Sequence, residues 1–297
     1  MTNKQKGTAL IISAAFFFNL MSVFSKLAGN VPVMQKTLFR NLVAAAFTGA
    51  LMLARRQPFS IPRRALPAAF LRSGFGMLAV VGFLYAVDHL VLSDAAMIQD
   101  LSPFFIIAAA ALILKEKPRS SQLALIFVAM VGTAFVIKPS GAMGLDRGTL
   151  AALTGALATG VAYTMLRVLG KMDVDVISIV LFFSLFTCAA CVPFVVYDHA
   201  HLDGRSWLYL ILMSLSACIG QLSITGAYRF APAKEISIYD YTEVVFASVM
   251  GWLVFGEVAG ASSYIGYVII AGAAIVMYLM NRRLPDEGGA VSPTDAS

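Results

Sequence analysis

GTALIISAAFFFNLMSVFSKL (residues 7–27) is an apolar run closed by a single lysine, and GTLAALTGALATGVAYTMLRVL (148–169) repeats its outline. Each is about 20 residues long, the length an α-helix needs to cross roughly 30 Å of hydrocarbon. Both open on Gly-Thr, and Lys26 aligns with Arg167, so the offset is 141 residues. The same offset aligns Glu116, in ALILKEKPRS, with Glu257, in GWLVFGEVAG. One unadjusted spacing that relates two separate places indicates a duplicated unit.

Composition fixes the solvent. Of the 297 residues, 59% are apolar and 13% charged, and the mean hydropathy is +0.82. A soluble domain carries about 25% charged residues, so the chain reads as an integral, all-α membrane protein. The net charge of +6 is expected to sit in membrane-flanking loops, and no nucleic-acid partner is implied. Lys4 and Lys6 precede an apolar run too long for a cleaved signal peptide. The polar stretch after Met280, NRRLPDEGGAVSPTDAS, reads as disordered, with the tail at 283–297. Cys188 and Cys191 form a C-x-x-C inside an apolar run, where packing is the better reading than redox chemistry. DHAHLD (198–203) reads as a solvated loop and not a metal site.

Charges and turn residues divide the chain into ten spans, near 7–27, 32–54, 67–87, 93–114, 121–138, 148–168, 175–197, 206–228, 235–255 and 261–280. With a cytoplasmic N-terminus, fifteen lysines and arginines fall on the inner side. Five fall outside: Lys26, Lys36, Lys138, Arg147 and Arg205. That bias fits ten helices with both termini inside. The expected organisation is a short N-terminus (1–6), a five-helix repeat (7–147) and a second repeat (148–282). An odd helix number makes the second copy enter from the opposite face, giving an inverted repeat, a common plan of secondary transporters.

Four stretches also carry a family resemblance: SKLAGNVPVMQKTLFRN, FLRSGFG, YAVDHLVLSDAAMIQDLSPFF and LILKEKPRSSQLALIFVAMVGTAFVI. Their second-half counterpart is YDYTEVVFASVMGWLVFGEVAGASSYIGYVIIAGAAIVMY. Together they resemble the EamA type of the drug/metabolite transporter superfamily over about residues 7–282. The most specific feature is a Glu that ends an apolar helix before a short turn and a Gly/Ala-rich helix, seen twice. The proline usual in the first of these helices is present as Pro103 and replaced by Val244 in the second copy. The resemblance implies a ten-helix carrier of small metabolites in the bacterial inner membrane, of the kind that exports aromatic and other amino acids.

Ionisable groups within spans are rare and mark function by default. Here they are Arg40, Arg72, Asp100, Asp240 and Glu243, with Gln99, Ser102, Gln221, Tyr239 and Tyr241 as polar company. At 1.5 Å per residue, Arg40, Asp100 and Glu243 each lie about 10–12 Å inside the bilayer. The 141-residue offset pairs Gln99 with Asp240, Asp100 with Tyr241, and Ser102 with Glu243, so both copies place polar groups at one depth. Pro103 kinks its helix and frees the carbonyl of Gln99. Tyr239, Asp240, Glu243, Ala247 and Gly251 share one helix face and read as a cavity wall.

An arginine beside acids suits a zwitterion, and Phe104, Tyr239 and Tyr241 suit an apolar side chain. Amino-acid export by alternating access is therefore the leading reading, with a cationic or nucleotide-like solute as the second. Against a functional role stand a structural Arg40–Asp100 ion pair, a snorkelling Arg72, and a protonated Glu243 bonded between helices. Glu243 is also the candidate proton carrier. Glu116 and Glu257 read as helix-end contacts, and Gly74, Gly76, Gly132, Gly251, Gly266 and Gly272 as helix–helix contacts. An intramembrane aspartyl protease lacks its G-x-G-D partner, since the GLD at 144–146 lies in a loop. A channel lacks rings of like residues. No G-x-x-x-x-G-K-[ST] loop occurs, so ATP is not implied; separately, no metal or other cofactor is expected, and the chain reads as a monomer.

Overall fold

The computed structural model describes residues 3–115, 119–137, 146–230, 239 and 241–282. Glu116, Asp240, the expected start of the ninth span at 235 and the tail from 283 lie outside them. The elements run α1 (Asn3–Leu27), α2 (Val33–Ala54), a 3₁₀ turn (Arg63–Ala65), α3 (Leu66–His89), α4 (Leu92–Gln99) and α5 (Ser102–Ile113). They continue as α6 (Ser120–Ile137), α7 (Arg147–Lys171), α8 (Val176–Tyr197), α9 (Gly204–Phe230), α10 (Thr242–Phe255) and α11 (Ala261–Arg282). Among the described residues, eight helical segments are long and apolar enough to cross a membrane, with α4 and α5 counted as one, and α6 and α10 are shorter.

The span expected at 93–114 is present as one apolar stretch, Leu92–Ile113, but its helix is broken: α4 stops at Gln99 and α5 starts at Ser102. Pro103 lies in the first turn of α5, where its missing N–H costs no helical bond.

Helices pair mainly across the halves. The principal pairs are α3 with α7, α1 with α9, α6 with α11 and α2 with α8. A shift of 141 residues carries α1 onto α7 and α3 onto α9, so α3–α7 and α9–α1 are one contact made twice. The same shift relates α5 on α7 to α10 on α1. The largest core surrounds the broken helix and joins Leu92, Ile98 and Leu101 to Ala247 of α10 and Ile270 of α11. Large apolar residues such as Leu53, Leu112, Phe127, Val196 and Val268 face outward, where lipid replaces water.

Small residues set the closest approaches. A Cβ on Gly82 of α3 would stand 2.6 Å from the Ala151 carbonyl oxygen and 3.0 Å from Gly155 Cα. Neither sequence position was expected at a contact, whereas Gly74 and Gly272, which were, have nothing within 4 Å. Gly132 and Gly266 do meet, between α6 and α11. Because Gly82 abuts backbone, no rotamer change relieves a larger side chain. Gly82→Leu is expected to destabilise the protein by about 3 kcal/mol. Gly74→Ala should be neutral, and equal thermal shifts of the two variants in detergent would refute this packing.

Three helices of the second half start on aspartate caps: Asp146 for α7, Asp175 for α8 and Asp203 for α9. Each carboxylate accepts the backbone N–H three residues on, at 2.8–2.9 Å. Partial burial works against the Asp146 charge, but hydrogen bonds from Thr149 outweigh it and hold the carboxyl below its usual range. Asp146, the aspartate of the GLD, is thus a helix cap. Asp203 of DHAHLD is one too.

Candidate functional site

The break between α4 and α5 opens the centre of the bundle. Phe104 N–H turns to the Leu101 carbonyl (3.0 Å), which leaves the Asp100 carbonyl without its helical donor. Tyr241 Oη fills that vacancy, donating to the Asp100 carbonyl at 3.2 Å. Asp100 and Tyr241 are repeat mates, 141 residues apart, so the two halves touch through equivalent positions.

Around this contact lies a cavity of about 650 Å³, within the range typical of small-molecule sites. Arg40, Arg72, Gln99, Asp100, Ser102, Pro103, Gln221, Tyr241 and Glu243 all line it. Arg40, Gln99, Asp100, Ser102 and Glu243 were expected at one site, Arg72, Gln221 and Tyr241 as secondary candidates and Pro103 as a helix kink, and all nine line this cavity. Gln99 Nε2 donates to Thr159 Oγ1 of α7 at 3.0 Å, which fixes its amide at the wall. Glu243 occupies the first turn of α10. Asn19 of α1 donates to the Glu243 carbonyl at 2.8 Å and anchors that turn.

Three expectations do not hold. Phe104 is 4% exposed and packs in the core behind the cavity, because Pro103, its neighbour, takes the lining position. Tyr239 is 37% exposed and off the cavity wall, its carbonyl accepting from Thr242 Oγ1 at 2.7 Å. Arg72 does not snorkel to the inner boundary; it turns into the cavity, its guanidinium 4.7 Å from the centroid of the Phe183 ring. Gly76, one turn on, makes room for it, since a Cβ there would overlap the Arg72 guanidinium.

The two arginines are neighbours. Arg40 on α2 lies within electrostatic reach of Arg72 on α3, of Tyr163 on α7 and of Cys218 on α9. The Nε atoms of both are buried without a hydrogen-bond partner among the described residues. The ion pairs Lys26–Glu257 and Lys36–Asp88 lie at one end of the bundle, away from Arg40 and Asp100. A second cavity of about 330 Å³ shares Arg40, Arg72, Phe183 and Gln221 with the first and extends along α2 and α8 to the exposed Arg55. Its described lining holds three arginines and no acid.

The opposite end of the bundle is bolted by charge. Lys26, at the end of α1, pairs with Glu257 and donates to the Leu90 carbonyl at 2.8 Å. Glu257 also accepts the Leu92 N–H at 3.0 Å, tying the turn after α10 to the start of α4. Beside it Lys36, fully buried, bonds both carboxylate oxygens of Asp88 at 2.8 Å. Sequence reasoning missed Lys36–Asp88 because Lys36 was counted with the outer loops and helix ends and Asp88 was given no role. Opposite charges at the start of one span and the end of the next were the available signal. It also missed Asp94, buried in the first turn of α4, which accepts from Tyr267 Oη at 2.5 Å.

A family model described as the EamA-like transporter family matches residues 5–138 and again residues 146–279. The pseudopaline exporter CntI of Pseudomonas aeruginosa is 26% identical over 275 residues, covering 92% of this chain and 96% of that one. Solute carrier family 35 member G1 of Mus musculus is 27% identical over 266 residues, covering 85% and 72%. A solved crystal structure superposes with a TM-score of 0.62 at 19% identity, covering 95% of this chain and 99% of that one, and shows the fold alone.

Proposed function

The chain belongs to the EamA-like transporter family and is a multi-pass membrane transporter of small metabolites, and on that premise we propose that it exports zwitterionic amino acids through the central cavity. The observation that carries the proposal is the charge layout of that cavity, with arginines on α2 and α3 and carboxylates at the α4–α5 break and the start of α10. A guanidinium can take the carboxylate of an amino acid, and an acid its ammonium. Both are recruited from different helices and so can close around one solute.

The ends of the bundle support alternating access. One end is held by Lys26–Glu257 and Lys36–Asp88. From the other, a cavity leads inward past Arg55. Under the positive-inside assignment the bolted end is periplasmic and the arginine-lined approach cytoplasmic, as an exporter of the bacterial inner membrane loading from inside requires. A relative named as an exporter supports that direction. Ten helices in two inverted repeats, termini inside, as a monomer, complete the proposed arrangement. Tyr241 bonded to its repeat mate Asp100 supports a single site on the axis between the repeats. A cationic or nucleotide-like solute is the second reading.

Proteoliposomes loaded with radiolabelled solutes test the proposal. Aromatic or other neutral amino acids are expected to flow, and Arg40→Ala to cut that flux by about tenfold or more, as expected for a lost charged hydrogen bond in a dry site. Absence of amino-acid flux, or flux indifferent to Arg40→Ala, sinks the zwitterion reading.

A further inference from the structure

A plain amino acid has one carboxylate, but this cavity offers two guanidinium groups. Arg40 and Arg72 are close enough to repel each other, and neither Nε has a hydrogen-bond partner among the described residues. The described lining of the approach from Arg55 adds a third arginine and no acid. An array of like charges in a partly desolvated wall is unfavourable until an anion joins it, and a positive approach concentrates anions at its mouth. The 141-residue offset adds a further point: Arg40 and Arg72 correspond to Leu181 and Met213, so the pair is no inherited feature of the repeat. Only one half carries it, and the acids Asp100 and Glu243 face the same cavity.

We propose that the substrate is an amine bearing two carboxylates, one on each arginine, with its ammonium toward Glu243 and Asp100. This deepens the transport reading and rests on it. Each planar guanidinium is suited to its own carboxylate through paired N–H donors. A cavity of about 650 Å³ leaves room for a body larger than that of a simple amino acid. The Phe183 ring stacked on Arg72 holds one guanidinium at a set angle, and Gly76 keeps the space for it. Arg72 thereby becomes the residue that separates doubly from singly acidic solutes.

Equilibrium binding to the purified full chain in detergent, with two matched pairs of probes, tests this. Phenylalanine is compared with N-carboxymethyl-phenylalanine, and glutamine with glutamate; each pair differs by one carboxylate. The second carboxylate is expected to raise affinity about tenfold or more, the effect of one charge-assisted hydrogen-bond pair. Arg72→Gln should bring that ratio close to one, and Arg40→Gln should do the same. A ratio of affinities does not depend on the folded fraction, so partial misfolding of a variant does not mimic the result. Equal affinities within both pairs in the wild type overturn the proposal, as does a ratio that survives in both variants. The transport reading fails separately: a high ratio without flux of any solute removes transport, and amino-acid flux with a ratio of one removes only the second carboxylate.

Discussion

Glu243→Gln is expected to abolish the response of solute flux to an imposed pH gradient in proteoliposomes, while exchange of internal for external solute continues. Glu243 lies on the cavity wall in the first turn of α10, and the arginines of the same lining come from the other half. A single carboxylate can hold a proton or a solute ammonium but not both at once, so occupation by one releases the other, which is the physical core of exchange. The loss of gradient-driven flux should be about tenfold or more, because a glutamine keeps the shape and removes the titration. In detergent the wild-type affinity for an amine solute should fall with acidification, and the variant should lose that slope. A variant with full gradient dependence would falsify the proton role of Glu243.

The second large effect concerns the bolted end. Lys36→Met is expected to destabilise the protein by about 3 kcal/mol, since removing one member of a buried pair strands the other charge. Lys36 is 0% exposed, and Asp88 keeps only 17% of its side-chain surface, so its stranded carboxylate reaches little water. Lys36→Met with Asp88→Leu together should recover most of the loss, because an apolar pair of similar volume replaces both charges. Thermal unfolding in detergent reads both. Single and double variants that melt together would mean that the pair carries no coupling and that another contact holds α2 to α3. The double variant has a second readout: with that end closed by Lys26–Glu257 alone, a cysteine reagent applied from the side of the bolted end should reach Cys218, on the wall of the second cavity, faster than in wild type.

Much of the site was legible in the sequence because the physics of the bilayer is severe. Arg40, Asp100 and Glu243 stood out since a charge at that depth is tolerated only against protein or a water-filled cavity. The offset of 141 residues then placed Ser102 beside Glu243 and Asp100 beside Tyr241 before any coordinates. The structure supports that pairing, with Tyr241 bonded to the Asp100 carbonyl. What failed was direction. Depth along a helix does not say which way a side chain points, so Phe104 was placed in the cavity and packs behind it. Arg72 was released to the boundary, yet the missing Cβ of Gly76 and the ring of Phe183 turn it inward. Lys36 looked like a loop charge at the end of a span and is wholly buried.

From sequence alone come the membrane, the duplication and the family, because apolar run length and a fixed repeat offset are one-dimensional quantities that survive without coordinates. The break after Gln99, the pairing of α3 with α7 and α1 with α9, and the gathering of Arg40, Arg72, Asp100 and Glu243 around one cavity are three-dimensional. They depend on which helix faces meet, and that is settled by contacts such as Gly82 on Ala151, between residues far apart in the chain.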